Sequence, residues 1–364
     1  MQTAGGPARK VDTENTSPVT LRTLADRLGL HVSTVSRVLH AKPAESLRAA
    51  SGATVERIRK LADELGYQPN PHATSLRTRR SNLVGVLVPR LSDIVLATIY
   101  EGIEEAAAEH GLSTFVTNTR DVPEVQRART EMVLGRRVDG LIFGDAYIDA
   151  EFLAGITARN VPFVLVSRRA GNHPSVTCDD YLGGRLAAEH LLSLGHQTVA
   201  VIAGEPYAST GIDRTAGFVD TYAAAGLEIP AERILNTPFD ARGGRIGAER
   251  LLAQDPIPSA IFAVNDFAAI GAIGAARDHG LQVGTDIAII GFNDTPLAAE
   301  LPVPLTTVRS PMHEMGYRGL NLLVRLMQGE EVESERLAPD FMVRASTTGI
   351  ASLPLSRVLG RHAT

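Results

Sequence analysis

The sequence predicts a small all-α head followed by a larger α/β body built from two doubly wound parallel-sheet subdomains. Residues 19–66 show helical periodicity throughout. From residue 82 onward, short apolar runs typical of buried strands alternate with helical patterns. This alternation occurs in two consecutive blocks, which indicates two sheets, and a chain of 364 residues is long enough for two or three domains.

The head begins with two short amphipathic helices in residues 19–40. Thr20 is the predicted N-cap of the first helix and Gly29 its end. The apolar positions of the two helices repeat with helical spacing: Leu21, Leu24, Ala25 and Leu28, then Val35, Val38 and Leu39. The polar side of the second helix carries small hydroxyls and one arginine, which suit phosphates and base edges. The pattern is typical of a helix-turn-helix, although a helical hairpin in a larger core would give it too.

A third helix fits residues 54–65 and is followed by a short basic segment. Asn70 and Pro71 form a strong helix start, but only one or two turns fit before the arginines of residues 77–80. Leu76 would have little to pack against in so short a helix. The segment 67–81 is therefore predicted to be a hinge that folds on DNA, with Leu76 wedged into the minor groove, or else a plain interdomain linker.

Charge separates the head from the body. Residues 19–80 contain eleven basic and five acidic residues, a net charge of +6, within a chain of formal charge −5. Residues 81–364 therefore carry a net charge of −11. A basic head on an acidic body is typical of a nucleic-acid-binding domain joined to one that does not bind nucleic acid.

Composition favours a protein of a reducing cytoplasm. No apolar run reaches the length of a membrane span, and residues 1–18, a predicted disordered lead, lack the apolar core of a signal peptide. Cys178 is the only cysteine, which excludes an intramolecular disulfide. Neither a zinc site nor a histidine cluster with ligand spacing is present, so we expect no metal. Because no membrane span is predicted, we expect no membrane partner either.

Polar residues at the ends of the predicted strands are the candidates for a binding cleft, because ligands of doubly wound sheets bind at the carboxyl ends of strands. The strand runs are 83–88, 115–117, 141–143, 163–166 and 175–177, then 198–203, 260–264 and 287–290. The polar candidates beyond them are Ser92, Asp93, Ser167, Arg168, Cys178, Asp179, Asp180, Asn265, Asp266, Asn293 and Asp294. Arg214, early in a helix, could reach the same cleft. Each one alone is explained better as a helix cap or a solvated loop residue than as a ligand contact.

The recurrence of these polar positions predicts a site for a hydroxyl-rich ligand. No Gly-rich phosphate loop follows the strands, so a nucleotide cofactor is not expected. G-x-S-x-G, paired-carboxylate and metal motifs are likewise missing in context, so the chain is not expected to be an enzyme.

The motifs taken together resemble those of the lactose-repressor/galactose-repressor family. In the head and hinge they are VTLRTLADRLGLHVSTVSRVL, ADELGYQPN and ATSL. In the body they are SNLVGVLVP, RRVDGLIF, GFVDTYAAAGL, FAVNDFAAIGA, IIGFNDTPLA and PLTTVRSP. They stand in the family's order and extend over residues 19–349.

This resemblance implies a homodimeric, sequence-specific repressor that docks its recognition helices into the major grooves of a near-palindromic operator. Val32, Ser33 and Arg37 match the base-reading positions, whereas Thr34 and Ser36 match positions that contact phosphate. The hinge-helix positions are matched by Asn70, Ala73 and Leu76.

The resemblance also implies a body of the periplasmic-binding-protein type, with a small-molecule effector and no cofactor. The implied effector residues are Asp93, Arg168, Asp179, Arg214, Asn265 and Asn293. The implied boundaries are a head at 19–66, one subdomain at 82–178 and 306–337, the other at 179–305 and 338–350, and a tail at 351–364. A sugar or sugar phosphate is the expected effector. The alternative effector is a nucleobase or nucleoside. The alternative role is that of a soluble sugar-binding protein, which would have no use for the basic head.

Several positions depart from the family pattern. His31 replaces the usual serine before the recognition helix. Residues 44–50 contain an insertion of about five residues, interpreted as a longer loop rather than as a phosphate contact through its arginine. Residues 94–96, Ile-Val-Leu, replace the common Pro-Phe-Phe, which weakens the expectation of an aromatic platform. Asn293 stands where aspartate is usual. The tail lacks heptads, so a tetramerising coiled coil is not predicted.

Overall fold

The structure, a computed structural model, describes residues 19–40, 47–67, 80–149 and 151–349. It divides into two compact units, with the division between Arg79 and Arg80. The predicted disordered lead (1–18), the hinge residues Asn70, Ala73 and Leu76 and the tail (351–364) lie outside the described residues, and their predictions stay as stated.

In its described part the head contains α1 (Leu21–Leu28), α2 (Val32–His40) and α3 (Gly52–Glu64). Residues 47–49, within the insertion that was interpreted as a longer loop, are helical as well. A capping box starts α1, since the Thr20 hydroxyl accepts the Thr23 N–H at 3.2 Å and the Thr23 hydroxyl accepts the Thr20 N–H at 3.3 Å. Gly29 ends that helix in the left-handed conformation, with φ 64°. The three helices share one core, formed by Leu24, Ala25, Val35, Val38, Val55, Ile58 and Ala62.

The body alternates strands and helices as the sequence predicts, with added elements near its end. The strands are β1 (Leu83–Val88), β2 (Ser113–Asn118), β3 (Gly140–Phe143), β4 (Phe163–Val166), β5 (Ser175–Cys178), β6 (Val199–Ile202), β7 (Ile234–Leu235), β8 (Ala260–Ala263), β9 (Ala288–Asn293), β10 (Thr306–Arg309), β11 (Glu335–Leu337) and β12 (Asp340–Met342). The helices are α4 (Ile94–Glu109), α5 (Pro123–Leu134), α6 (Glu151–Ala158), α7 (Asp180–Ser193), α8 (Ser209–Ala224), α9 (Ala241–Leu252), α10 (Asp266–Asp278), α11 (Pro296–Glu300), α12 (Met312–Met327) and α13 (Ala345–Thr348). Among the described residues, no helix has the length and apolar character needed to cross a membrane.

Two six-stranded sheets form the body. The first has the order β11-β5-β4-β3-β1-β2 and is parallel throughout. The second has the order β12-β10-β9-β8-β6-β7, in which only β12 runs antiparallel. The sequence therefore predicts the fold class correctly, since each block of alternating elements forms its own doubly wound sheet.

The chain passes between the two sheets three times, and one passage differs from the predicted boundary. It passes after β5 and again between β11 and β12. The remaining passage lies between β10 and β11, after Arg309. Residues 306–337 were predicted to belong to the first subdomain, but residues 306–309 form β10, which pairs with β9 in the second sheet. The chain leaves that sheet at Ser310 and Pro311. Pro311 has no N–H with which to continue the ladder.

Three helix pairs in the body pack with unusually close backbones: α4 with α12, α7 with α8, and α9 with α10. A glycine from each helix lies at each contact, and an added Cβ would overlap a carbonyl oxygen of the partner helix. At the first contact, Gly102 faces the carbonyl of His313 and Gly316 faces that of Ile99. These glycines let the helices cover the sheets that carry the cleft.

Replacing Gly102 with alanine should destabilise the body, because the added methyl group must push α12 away. We expect a loss of about 1–3 kcal/mol, as for other overpacked sites. Urea unfolding followed by circular dichroism measures the change. Gly155→Ala is the matched control, since Gly155 lies in α6, is exposed and has no neighbour within 4 Å of an added Cβ. That variant should gain about 0.5–1 kcal/mol, and equal effects of the two substitutions would contradict the packing explanation.

Candidate functional site

A cavity of about 590 Å³ lies between the two subdomains of the body, where the carboxyl ends of both sets of strands meet. Its volume is within the range of small-molecule sites, about 300–1,000 Å³. The first subdomain contributes residues that follow β1, β2 and β4, and the second contributes residues that follow β6, β8 and β9. The topology therefore brings together side chains that are far apart in the sequence.

Five of the six predicted effector residues line this cavity: Asp93, Arg168, Arg214, Asn265 and Asn293. Asp179 does not. Its carboxylate accepts the Leu182 N–H at 3.0 Å as the N-cap of α7, and it borders a separate pocket of about 190 Å³. Its position after a strand is thus explained by helix capping, and the geometry does not support an effector role.

Arg168 is held rigidly by Asp121 at the cavity wall. Its Nη1 and Nη2 donate to the two carboxylate oxygens of Asp121 at 2.8 and 2.9 Å. The two side chains are only 8% and 17% exposed, so water screens this pair weakly. A bidentate pair in this setting fixes the orientation of the guanidinium.

Arg214 is bound from three sides. Its Nε donates to Asp180 Oδ1 at 2.8 Å, and its Nη1 donates to the carbonyl oxygen of Val264 at 2.7 Å. The guanidinium carbon lies 3.7 Å from the ring centroid of Phe292, a cation–π contact. Burial raises the pKa of Asp180 to about 6, although the Arg214 guanidinium acts in the opposite direction. Arg214 is therefore a structural residue as well as a wall of the cavity.

The cavity also offers oxygen acceptors. Asp93 caps α4 by accepting the Val95 N–H at 3.0 Å, and burial raises the pKa of its carboxyl group. Asn265 caps α10 through the Ala268 N–H at 2.8 Å, while its Nδ2 donates to the carbonyl oxygen of Phe239. Asn293 Oδ1 is buried and has no hydrogen-bond partner within the described residues.

Four residues of the cavity wall have a strained backbone. Arg120, Asp121, Ser167 and Asn293 all line it and all have positive φ, at 62°, 52°, 67° and 107°. Such conformations cost about 1–3 kcal/mol each in residues other than glycine and cluster at functional sites. At Asp121 the strained turn is the one that presents its carboxylate to Arg168.

Aromatic side chains line the second subdomain's side of the cavity: Tyr207, Phe239 and Phe267. Sequence reasoning missed these three and Asp121. It considered only an aromatic platform at residues 94–96, in the first subdomain. Tyr207 lies shortly after the predicted strand 198–203 and Asp121 shortly after β2, so the rule of examining strand ends could have found both.

Direct contacts join the two subdomains beside the cavity. The rings of Tyr147 and Tyr207 stack with centroids 4.5 Å apart, and the Ile148 N–H donates to the carbonyl oxygen of Tyr207 at 3.1 Å. Arg169 binds Asp213 through two hydrogen bonds, of 2.9 and 2.6 Å. Tyr207 is thus both a wall of the cavity and a contact between the subdomains.

The second helix of the head presents the side chains that the sequence singled out. Val32, Ser33 and Arg37 are exposed on α2, whereas Thr34 and Ser36 are partly buried. His31 takes the place of the N-cap, since its Nδ1 accepts the Ser33 N–H at 3.3 Å and lies 2.7 Å from the Ser33 hydroxyl. The helix begins at Val32 even though histidine replaces the family's serine.

Comparison with known proteins agrees with both parts of this architecture. The family model described as bacterial regulatory proteins, lacI family, matches residues 20–70. The model described as a periplasmic binding protein-like domain matches residues 188–347. The Lac repressor dimer, solved bound to operator and the anti-inducer ONPF, has a TM-score of 0.83 at 29% identity, covering 92% of this chain and all of the repressor chain. The CelR–cellobiose complex has a TM-score of 0.68 at 28% identity, covering 90% and 99%.

Curated relatives match over nearly their whole length. The transcriptional regulator DegA of Bacillus subtilis is 32% identical over 336 residues, covering 90% of this chain and 98% of DegA. The transcriptional repressor PurR of Pasteurella multocida is 30% identical over 334 residues, with the same coverage. Catabolite control protein A of Priestia megaterium is 30% identical over 321 residues, covering 87% and 95%. The chain therefore belongs to the LacI family of bacterial DNA-binding transcriptional regulators.

Proposed function

We propose that this regulator represses sugar-uptake or catabolic genes and that a sugar bound between its subdomains controls its operator binding as a homodimer. The observation that carries the proposal is the cavity, which combines hydrogen-bonding groups with aromatic faces in one cleft. Sugars present hydroxyl groups around a ring with apolar faces, so both kinds of surface have a counterpart in the ligand. The likeness to CelR, solved with cellobiose, supports the same class of effector.

The contacts beside the cavity suggest how an effector acts. A ligand that touches Tyr207 meets a residue whose ring and carbonyl oxygen bind the other subdomain. Occupancy of the cavity thus favours one angle between the subdomains over another, by the difference in ligand affinity for the two states. Such coupling is typically about 1–3 kcal/mol. The change in angle would alter DNA binding through the predicted hinge, which contains Asn70, Ala73 and Leu76.

Selection of bound fragments from a genomic library tests the proposal. The recovered fragments should share a near-palindromic site and lie beside genes for sugar uptake or breakdown. Sugars indicated by those genes are then tested for release or strengthening of the complex, with purine bases and nucleosides as comparison ligands. If only the purine bases or nucleosides change DNA binding, the effector is of that class and not a sugar.

Arg37→Ala should weaken binding to the selected operator by about 1–3 kcal/mol and relax selectivity at one base pair. The reason is that Arg37 is exposed on α2, where a guanidinium can donate two hydrogen bonds to a guanine edge. Fluorescence anisotropy with single-base operator variants measures both effects. Lys60→Ala, on the exposed side of α3, is the control and should keep the base preference. Unchanged selectivity of the Arg37 variant would remove its base-reading role.

Asp93→Asn should lower effector affinity about tenfold, since it removes a charged acceptor from the cavity. The variant keeps the cap of α4, because asparagine caps helices as well as aspartate. Asp179→Asn is the matched control. Asp179 also caps a helix after a strand but lies outside the cavity, so effector affinity should be unchanged. Calorimetric titration with the effector gives both values, and DNA binding without effector checks that each variant is folded. Equal loss in the two variants would contradict the cavity assignment.

A further inference from the structure

We propose that the cavity selects an uncharged, hydroxyl-rich ligand over its phosphorylated form, and that Asp121 sets this selectivity by occupying Arg168. This inference rests on the proposed function, and it decides between the sugar and the sugar phosphate that the sequence left open as effectors. It assigns a specificity role to Asp121, a residue that the sequence did not single out.

Both buried guanidinium groups of the cavity wall are already engaged by the protein. Each Nη of Arg168 donates to an Asp121 oxygen, and Arg214 is held by Asp180 and the Val264 carbonyl. Tight recognition of a phosphate uses parallel hydrogen bonds from one guanidinium edge. The Nη1–Nη2 edge of Arg168 faces Asp121 and is therefore already used for such a pair.

The remaining charges of the wall balance one another. Arg90 and Arg120 are exposed and belong to the first subdomain, whereas Glu205 and Asp240 belong to the second. In the described lining, four basic residues accompany four acidic ones: Arg90, Arg120, Arg168 and Arg214, with Asp93, Asp121, Glu205 and Asp240. A dianion that met the two arginines would therefore face two carboxylates across the cleft.

Several carboxylate acceptors remain for a ligand. Asp93 uses one oxygen for its helix cap, and Glu205 and Asp240 add further carboxylate oxygens to the lining. Hydroxyl groups donate to such oxygens, whereas a phosphate oxygen would be repelled by them. Because a buried charge without a free partner loses its hydration uncompensated, a phosphate ester should bind more weakly than the parent sugar.

Paired titrations of the full chain test the inference, with a panel of hexoses and pentoses and the phosphate ester of each as probes. Calorimetry gives the ratio of dissociation constants for ester and parent sugar, and thermal shifts report binding independently. The unmodified protein should prefer the parent sugar by at least about tenfold, the factor that one hydrogen bond to a charged group supplies. In Asp121→Asn the freed guanidinium should shift the ratio about tenfold toward the ester.

Two further variants separate selectivity from folding. Asp121→Asn combined with Arg168→Gln removes both partners of the pair and should lose the shift toward the ester. Asp278→Asn breaks an exposed Arg245–Asp278 pair outside the cavity lining and should leave the ratio unchanged. If the double variant kept the shift, Arg168 would not be the anion-binding group and the inference would be overturned.

The possible failures are distinguishable. Tighter binding of an ester than of its parent sugar by the unmodified protein overturns the inference but leaves the sugar-controlled repressor intact. An unchanged ratio in a folded Asp121→Asn variant overturns the role of Asp121. If no sugar or ester binds while a purine base or nucleoside does, the proposed effector class fails and the inference fails with it.

Discussion

The buried pair of Arg214 and Asp180 is the interaction on which the cavity depends. The pair joins the beginning of α7, where the chain has just left the first sheet, to α8. Arg214 also donates to the Val264 carbonyl at the end of β8 and lies over the ring of Phe292 in β9. Removing one partner of such a pair typically costs about 3–5 kcal/mol, because the other charge stays buried. Loss of effector response after truncation of Arg214 would therefore report on the wall as well as on a ligand contact.

Asp266 performs a similar task for the loop that carries Asn293. Its carboxylate accepts the Thr295 N–H at 2.6 Å, the Thr295 hydroxyl at 2.9 Å and the Thr307 hydroxyl at 2.6 Å. Burial raises its pKa to about 6, while these hydrogen bonds act in the opposite direction. As the first residue of α10, Asp266 looked in the sequence like a helix cap. In the structure Asn265 is the cap, and Asp266 ties α10 to the loop beyond β9.

Helix capping and the lining of the cavity use some of the same residues. Asp93 and Asn265 each satisfy the first turn of a helix and also line the cavity, whereas Asp179 only caps. The sequence left open whether each of these residues is a helix cap or a cleft residue. Asp93 and Asn265 are both, whereas Asp179 is only a cap. The difference is whether the side chain beyond the strand lines the large cavity or the separate, smaller pocket, which depends on the packing of both subdomains.

Local pattern determined the three helices of the head, the two blocks of strands and helices, and five of the six residues assigned to the cleft, because periodicity and strand ends are encoded in neighbouring residues. Tertiary structure decided the rest. The pairing of β10 with β9, the Asp121–Arg168 pair and the aromatic wall of Tyr207, Phe239 and Phe267 join residues distant in sequence. No local pattern specifies such partners, because their energies arise only when two sheets and their loops exclude water together.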